Sequence, residues 1–304
     1  MDFKIFNEDI GVIGYKRLIH KIMFPGPSRK PLSDYIDMAM YDSFKSPPNF
    51  QFKISAFRAE TKVFPKKTVF SRVRVIQNDD AVRFINGGIK ISDFYPPNPK
   101  LVNLTPGRYN EKDSRVMYLS DSPETAEVEC KVKDGDCFLR SQFTINREMA
   151  FFTLSKSSGR TKPFLDLINN DDVRFYPVIT YLMNDILRFP GFHGCTYDSV
   201  PANKIKGFKS SRVNLVVWND FINEVDFEYS FLSFRNNGNL YSYSLFYMEE
   251  GRVLSIDCGK ESDKATKKHQ DIYNRLTRET SCVKSIDKNF LAGLENPFKI
   301  VGGQ

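Results

Sequence analysis

The sequence predicts an α+β protein, and three observations carry the prediction. Residues 68–76 and 137–145 alternate in polarity, the period of a half-buried strand. Residues 116–119 and 213–218 are short, nearly continuous apolar runs, which suit strands buried on both faces. The helical signals are few and local, so the chain does not read as a regular strand–helix alternation.

The elements follow in chain order. Pro25-Gly26-Pro27-Ser28 and Pro47-Pro48-Asn49 are breakers. Between them Leu32, Tyr35, Ile36, Ala39 and Met40 recur at helical spacing, after Ser33 as an N-cap. In the strand at 68–76, Val69, Ser71, Val73 and Val75 share one face, with Arg72 and Arg74 on the other. Pro96-Pro97-Asn98-Pro99 is a loop. Ser122 can cap a helix with Pro123 in its first position and Thr125 in its third. Residues 175–187 suit a buried helix with Pro177 near its start. Residues 229–234 and 240–247 form a hairpin about Asn236-Asn237-Gly238-Asn239. Glu250-Gly251 turns into a short strand at 252–256, and residues 260–268 are a solvated charged segment.

Three regions result: 1–66 as an N-terminal extension, partly helical; 67–224, which holds the motifs; and 225–304 as a C-terminal extension with the hairpin. A chain of 304 residues can bury roughly three quarters of its unfolded surface and needs no staple. The net charge of +7 favours anionic partners without choosing among them. No basic start with a long apolar run opens the sequence, and no run approaches the length of a membrane helix. Five cysteines without framework spacing suit a reducing compartment. A cytoplasmic protein with no membrane partner is the expectation.

The chemistry concentrates in a few segments. Gly107-Arg108-Tyr109-Asn110 sets an arginine on a glycine turn, where a guanidinium fork suits phosphate oxygens. Tyr118 lies in the apolar run at 116–119, as a core residue or as a ring that stacks on a heterocycle. Thr125 and Glu129 lie one helical turn apart on a common face, whereas Glu127 points away. Tyr197-Asp198-Ser199 and Asn214-Leu215-Val216-Val217 follow downstream. Cys130, Cys137, His193 and Cys195 lack the knuckle spacing of a zinc site. Neither a Walker A nor a Gly-x-Gly-x-x-Gly motif occurs, nor a Ser-His-Asp set with a nucleophile elbow.

In this order and spacing the segments resemble the RES domain, named for its arginine, glutamate and serine, a family that includes bacterial toxins that degrade NAD+. The resemblance covers residues 67–220. It departs from the family at Ser71, where an aromatic residue usually precedes the first arginine, and at Cys195, where an aliphatic residue usually follows the glycine. It implies a compact ADP-ribosyltransferase-like core of twisted mixed sheets, with NAD+ as substrate and no further cofactor. It implies catalytic roles for Arg72, Glu129 and Ser199. Arg108, Tyr109, Asn110 and Tyr118 would bind the dinucleotide. Arg74 is the alternative to Arg72, and Glu124 and Glu127 are the alternatives to Glu129. The implied reaction is cleavage of the nicotinamide–ribose bond, with water, phosphate or a protein side chain as acceptor. The implied partner is a cognate antitoxin protein rather than nucleic acid. The competing reading is a nucleic-acid-binding or interaction protein on the same fold, but lysines and arginines are scattered rather than clustered on one helix.

Overall fold

A computed structural model describes residues 52–56, 58–99, 109, 115–154, 179–180, 183, 188, 191–280, 286–291 and 298–303. The fold is α+β. Thirteen strands are described: β1 (Phe52–Ala56), β2 (Arg58–Phe64), β3 (Val69–Ile76), β4 (Val116–Ser120), β5 (Cys137–Ile145), β6 (Met149–Leu154), β7 (Gly194–Asp198), β8 (Val213–Trp218), β9 (Val225–Asn236), β10 (Asn239–Glu249), β11 (Arg252–Asp257), β12 (Ile286–Leu291) and β13 (Phe298–Gly303). The described helices are α1 (Asn78–Ile85), α2 (Pro123–Glu129), α3 (Val200–Lys204) and α4 (Ser262–Thr280), with short 3-10 turns at Ile91–Asp93 and Asn219–Glu224.

β1 and β13 form a two-stranded sheet. The other eleven form one mixed sheet in the order β11-β10-β9-β5-β3-β4-β8-β7-β6-β2-β12. β6 and β7 are parallel, while its other pairs are antiparallel. The sheet curls strongly. In a flat sheet β2 and β3 would stand five strand spacings, ~24 Å, apart. Yet Phe64 of β2 meets Phe70 of β3 with ring centroids 5.1 Å apart. The curl encloses a core of Phe70, Leu139 and Phe143 from one half and Met117, Leu119, Phe151, Leu215 and Val217 from the other. Phe94 enters this core stacked on Phe227, with centroids 4.0 Å apart.

The two halves meet at a seam. β3 and β5 pair along the whole length of β3, and β4 and β8 along the whole length of β4. Between β3 and β4 there is one bridge, Ser71 to Ser120. Helix α2 packs beside the seam from outside, on the β3 half. Its Ala126 packs with Val73 of β3 and Phe138 of β5.

Several sequence expectations hold. Ser122 caps α2 by accepting from the Thr125 amide, with Pro123 in the first turn. The hairpin of β9 and β10 turns at Asn237 and Gly238, both at positive φ, as a tight turn between twisted strands requires. The charged segment at 260–268 opens α4, whose Ala265, Ile272 and Leu276 pack against Tyr229, Leu245 and Tyr247. The expected helix after Ser33 lies outside the described residues, as does most of the one at 175–187, where Ile179 and Met183 are buried. The boundaries expected at 66/67 and 224/225 fall between strands of a single sheet. β2, from the N-terminal region, pairs with β6. β9, from the C-terminal region, pairs with β5 from Cys137 to Ile145. Among the described residues no helix is long and apolar enough to cross a membrane.

Candidate functional site

The seam opens into a cavity of about 540 Å³. A single row of residues in register crosses four strands beneath it: Ser71 on β3, Ser120 on β4, Asn214 on β8 and Tyr197 on β7. All four line the cavity. Period-two alternation explains the row, because each residue is flanked on its own strand by side chains turned to the opposite face. Met117 and Leu119 enter the core while Tyr118 and Ser120 face outward; Leu215 and Val217 enter it while Asn214 and Val216 do not.

Arg72 lines the same cavity although it alternates with Ser71 and Val73. The missing pairing between β3 and β4 leaves the gap through which it does so. It is half-buried, and its Nη1 donates to the Phe94 carbonyl at 2.8 Å. Burial lowers its pKa to about 10, aided by the like charge of Arg74 and opposed by Cys130. The guanidinium therefore remains charged at neutral pH. A charge buried in the sheet is expected to find an anion; here a carbonyl receives it, and among the described residues no carboxylate pairs with it. Arg74, the alternative, is committed elsewhere: its Nη1 donates to the Asp93 carbonyl at 2.9 Å and its Nη2 lies 3.9 Å from Asp80.

Glu129 ends α2 at the cavity wall. Its Oε1 accepts from Asn214 Nδ2 at 2.7 Å, and Asn214 Oδ1 accepts from Ser120 Oγ at 2.6 Å. Glu127, two residues earlier, points to the opposite side as its helical phase requires. It is 7% exposed and is bridged by Arg140 Nε at 3.0 Å and by Arg235. Burial raises the pKa of Glu127, against the pull of Arg140 and Arg235. Glu124 pairs with Arg140 at 3.1 Å at the surface. Of the three glutamates of α2, only Glu129 faces the cavity.

Tyr118 is 38% exposed, so the run that reads as buried strand holds one open ring. Tyr109 is 2% exposed and lies between two other tyrosines, 5.6 Å from Tyr118 and 5.8 Å from Tyr197 by ring centroid. Arg108 and Asn110 lie outside the described residues. Ser199 is fully buried and does not line the cavity. Its Oγ caps α3 by accepting from the Ala202 amide at 3.1 Å. That helix carries Val200, Pro201 and Lys204 along the wall.

Lys131, Lys204 and the Asn214–Ser120 pair are site residues that received no role from the sequence. The two lysines sit in surroundings rich in lysine and carry no distinguishing signal. Asn214 does carry one: it is the single polar residue in the apolar run of β8 and is fully interior. Among the described residues the lining holds three cations, Arg72, Lys131 and Lys204, and one carboxylate, Glu129. An anionic ligand that also bears a cationic centre fits that balance.

Cys130 and Cys195 are not built for nucleophilic work. Cys130 Sγ turns inward and donates to the Val73 carbonyl at 3.1 Å, and burial of the thiol pushes its pKa up to about 11. Cys195 is buried beside Val216, and burial raises its pKa strongly. His193 Nε2 is engaged with Arg147 at 2.6 Å. Among the described residues no group of three or more His, Cys, Asp or Glu side chains could hold a metal ion.

No family model, no curated protein and no solved structure matches the chain.

Proposed function

We propose that the protein consumes NAD+ by cleaving its nicotinamide–ribose bond on an ADP-ribosyltransferase-like core, as its resemblance to the RES domain implies. The observation that carries the reading is the convergence of Arg72, Tyr109, Tyr118 and Glu129, from separate segments, on one cavity at the seam. Departure of nicotinamide leaves an oxocarbenium-like ribose. A carboxylate fixed beside it stabilises charge that appears only in the transition state. Glu129 is that group. Arg72, with Lys131 and Lys204 lining the same cavity, matches the pyrophosphate. The half-open ring of Tyr118 offers a face for the nicotinamide or adenine. Ser199 acts through the α3 cap rather than by contact, and Arg108 and Asn110 belong to this reading through the sequence resemblance alone.

The experiment is direct. Purified protein is incubated with NAD+ and nicotinamide is measured by chromatography. Release by the parent chain that is lost in Glu129→Gln supports the reading; no release by the folded parent overturns it. The co-product identifies the acceptor: ADP-ribose for water, its phosphate ester for phosphate, a modified polypeptide for a protein side chain. A toxin of this kind would also deplete NAD+ and arrest growth when expressed in a bacterium, and a protein antitoxin would be its partner.

A further inference from the structure

We infer that Asn214, oriented by Ser120, is the positioning residue that holds Glu129 in its reactive rotamer. The inference rests on the NAD+ reading above and assigns regulation of geometry to two residues that the sequence resemblance leaves without a role.

Three observations carry it. First, Asn214 Nδ2 donates to Glu129 Oε1 at 2.7 Å, a bond to a charged acceptor and so among the stronger ones. Second, Ser120 Oγ donates to Asn214 Oδ1 at 2.6 Å. The carboxylate, which can only accept, sets the orientation of the amide, and the Ser120 hydroxyl, donating to the oxygen left on the other side, holds it there. The amide nitrogen must face the carboxylate, so the amide oxygen is turned to the hydroxyl. Were the amide reversed, Oδ1 would oppose Oε1, two acceptors in contact. Third, Ser120 and Asn214 are themselves cross-strand partners and are buried, so the relay is anchored in the sheet rather than in a loop.

The consequence for Glu129 follows. It closes a helix of seven residues, and a side chain at a helix end has free rotamers unless something holds it. Asn214 occupies Oε1 and leaves Oε2 without a donor among the described residues. A carboxylate with one oxygen held and the other open can present that second oxygen to a developing cation. The bond also ties α2, packed on the β3 half, to β8 in the other half, across the open part of the seam.

The test compares the parent with Asn214→Ala, Ser120→Ala and Asn214→Asp, each checked for a cooperative melt. Steady-state nicotinamide release from NAD+ is measured across pH. Asn214→Ala should lower kcat about ten- to a hundredfold with KM within about twofold, since a misplaced catalytic group loses rate rather than binding. Ser120→Ala should lower kcat in the same sense by a smaller factor. Asn214→Asp supplies an isosteric carboxyl. While that carboxyl and Glu129 share one proton, the pair reproduces the donor and acceptor of the parent. Activity should then be present on the acid side and be lost as the shared proton leaves, a falling limb that the substitution introduces relative to the parent profile measured alongside. A residue with a merely structural role would change the melt and leave that limb absent. Normal kcat in folded Asn214→Ala, with an active parent, overturns the inference alone. An inactive folded parent removes the NAD+ reading and the inference with it.

Discussion

At the cavity wall the decisive contrast is between two glutamates two residues apart. Glu127 is sealed between Arg140 and Arg235, while Glu129 faces open space with one oxygen held by Asn214. Glu129→Gln keeps the hydrogen-bonding shape and removes the charge. We expect it to lower NAD+ cleavage by about a hundredfold or more, the scale of losing one transition-state electrostatic contact, with the melting temperature near that of the parent. Nicotinamide release at the parental rate would remove Glu129 from the chemistry. A second expectation concerns histidine. His193 and His269 both have lowered pKa values, chiefly through burial, with Arg147 and Arg140 respectively adding repulsion. The unfolded chain therefore takes up these protons at a higher pH than the folded one. Stability is fully present above the ordinary histidine range and is lost as pH falls through it. The melting temperature should fall between about pH 7.5 and about pH 5.5, and His193→Gln with His269→Gln should flatten the slope. A slope unchanged in the double variant would assign the effect to other groups.

Helix α2 illustrates how local chemistry places a site. Ser122 accepts from the Thr125 amide, Thr125 donates to the Ser211 carbonyl, and Ala126 packs on Val73 and Phe138. The cap, the anchor and the packing face set the rotation that turns Glu129 inward. Ser122→Ala should cost about 1 kcal/mol of stability by denaturant titration. It should also reduce NAD+ cleavage more than a surface change of equal cost; activity unchanged at the lower stability would separate the cap from the site. The cap, the proline and the helical phase of Glu127 against Glu129 were all readable from sequence, because they depend on neighbours within one turn. Strands β3, β5, β8 and the β9–β10 hairpin were readable for the same reason: alternation and turn residues are local. Tyr118 was ambiguous, since a ring in an apolar run fits a core or an open wall equally well, and only the gap beside β4 decides. The relay from Ser120 through Asn214 to Glu129 was not readable. It joins residues 85 and 94 positions apart in sequence, and register across strands sets it.

Taken whole, the molecule is held by a sheet that runs through every region of the described chain. The hairpin beyond residue 224 is not a separate layer: β9 covers the edge of β5, and Phe227, Leu232 and Phe246 belong to the central core. On its other face α4 is tied down by Arg275, whose Nη2 donates to the buried Glu228 at 2.7 Å. Truncation after residue 224 would unpair β5, the strand that supports β3 and Arg72. We expect the truncated chain to lose its cooperative melt and the proposed NAD+ cleavage together. A soluble, cooperatively melting, active truncation would show that the seam is supported from the β4 side alone.

The solitary Ser71–Ser120 bridge also sets how the backbone meets solvent isotopes. In an antiparallel strand a residue turns its amide and its carbonyl to the same side, and the side alternates along the chain. The Val73 carbonyl receives the Cys130 thiol on the seam side, so the Val73 and Val75 amides look into the gap, while those of Arg72 and Arg74 look toward β5. One strand should therefore show two deuteration clocks. Arg72 and Arg74 should exchange only when the β3–β5 ladder opens, whereas Val73 and Val75 should exchange from the closed fold. Amide-resolved exchange that slowed at Val73 and Val75 when NAD+ was added would then record, in hours rather than ångströms, the closing of a gap that the strands themselves leave open.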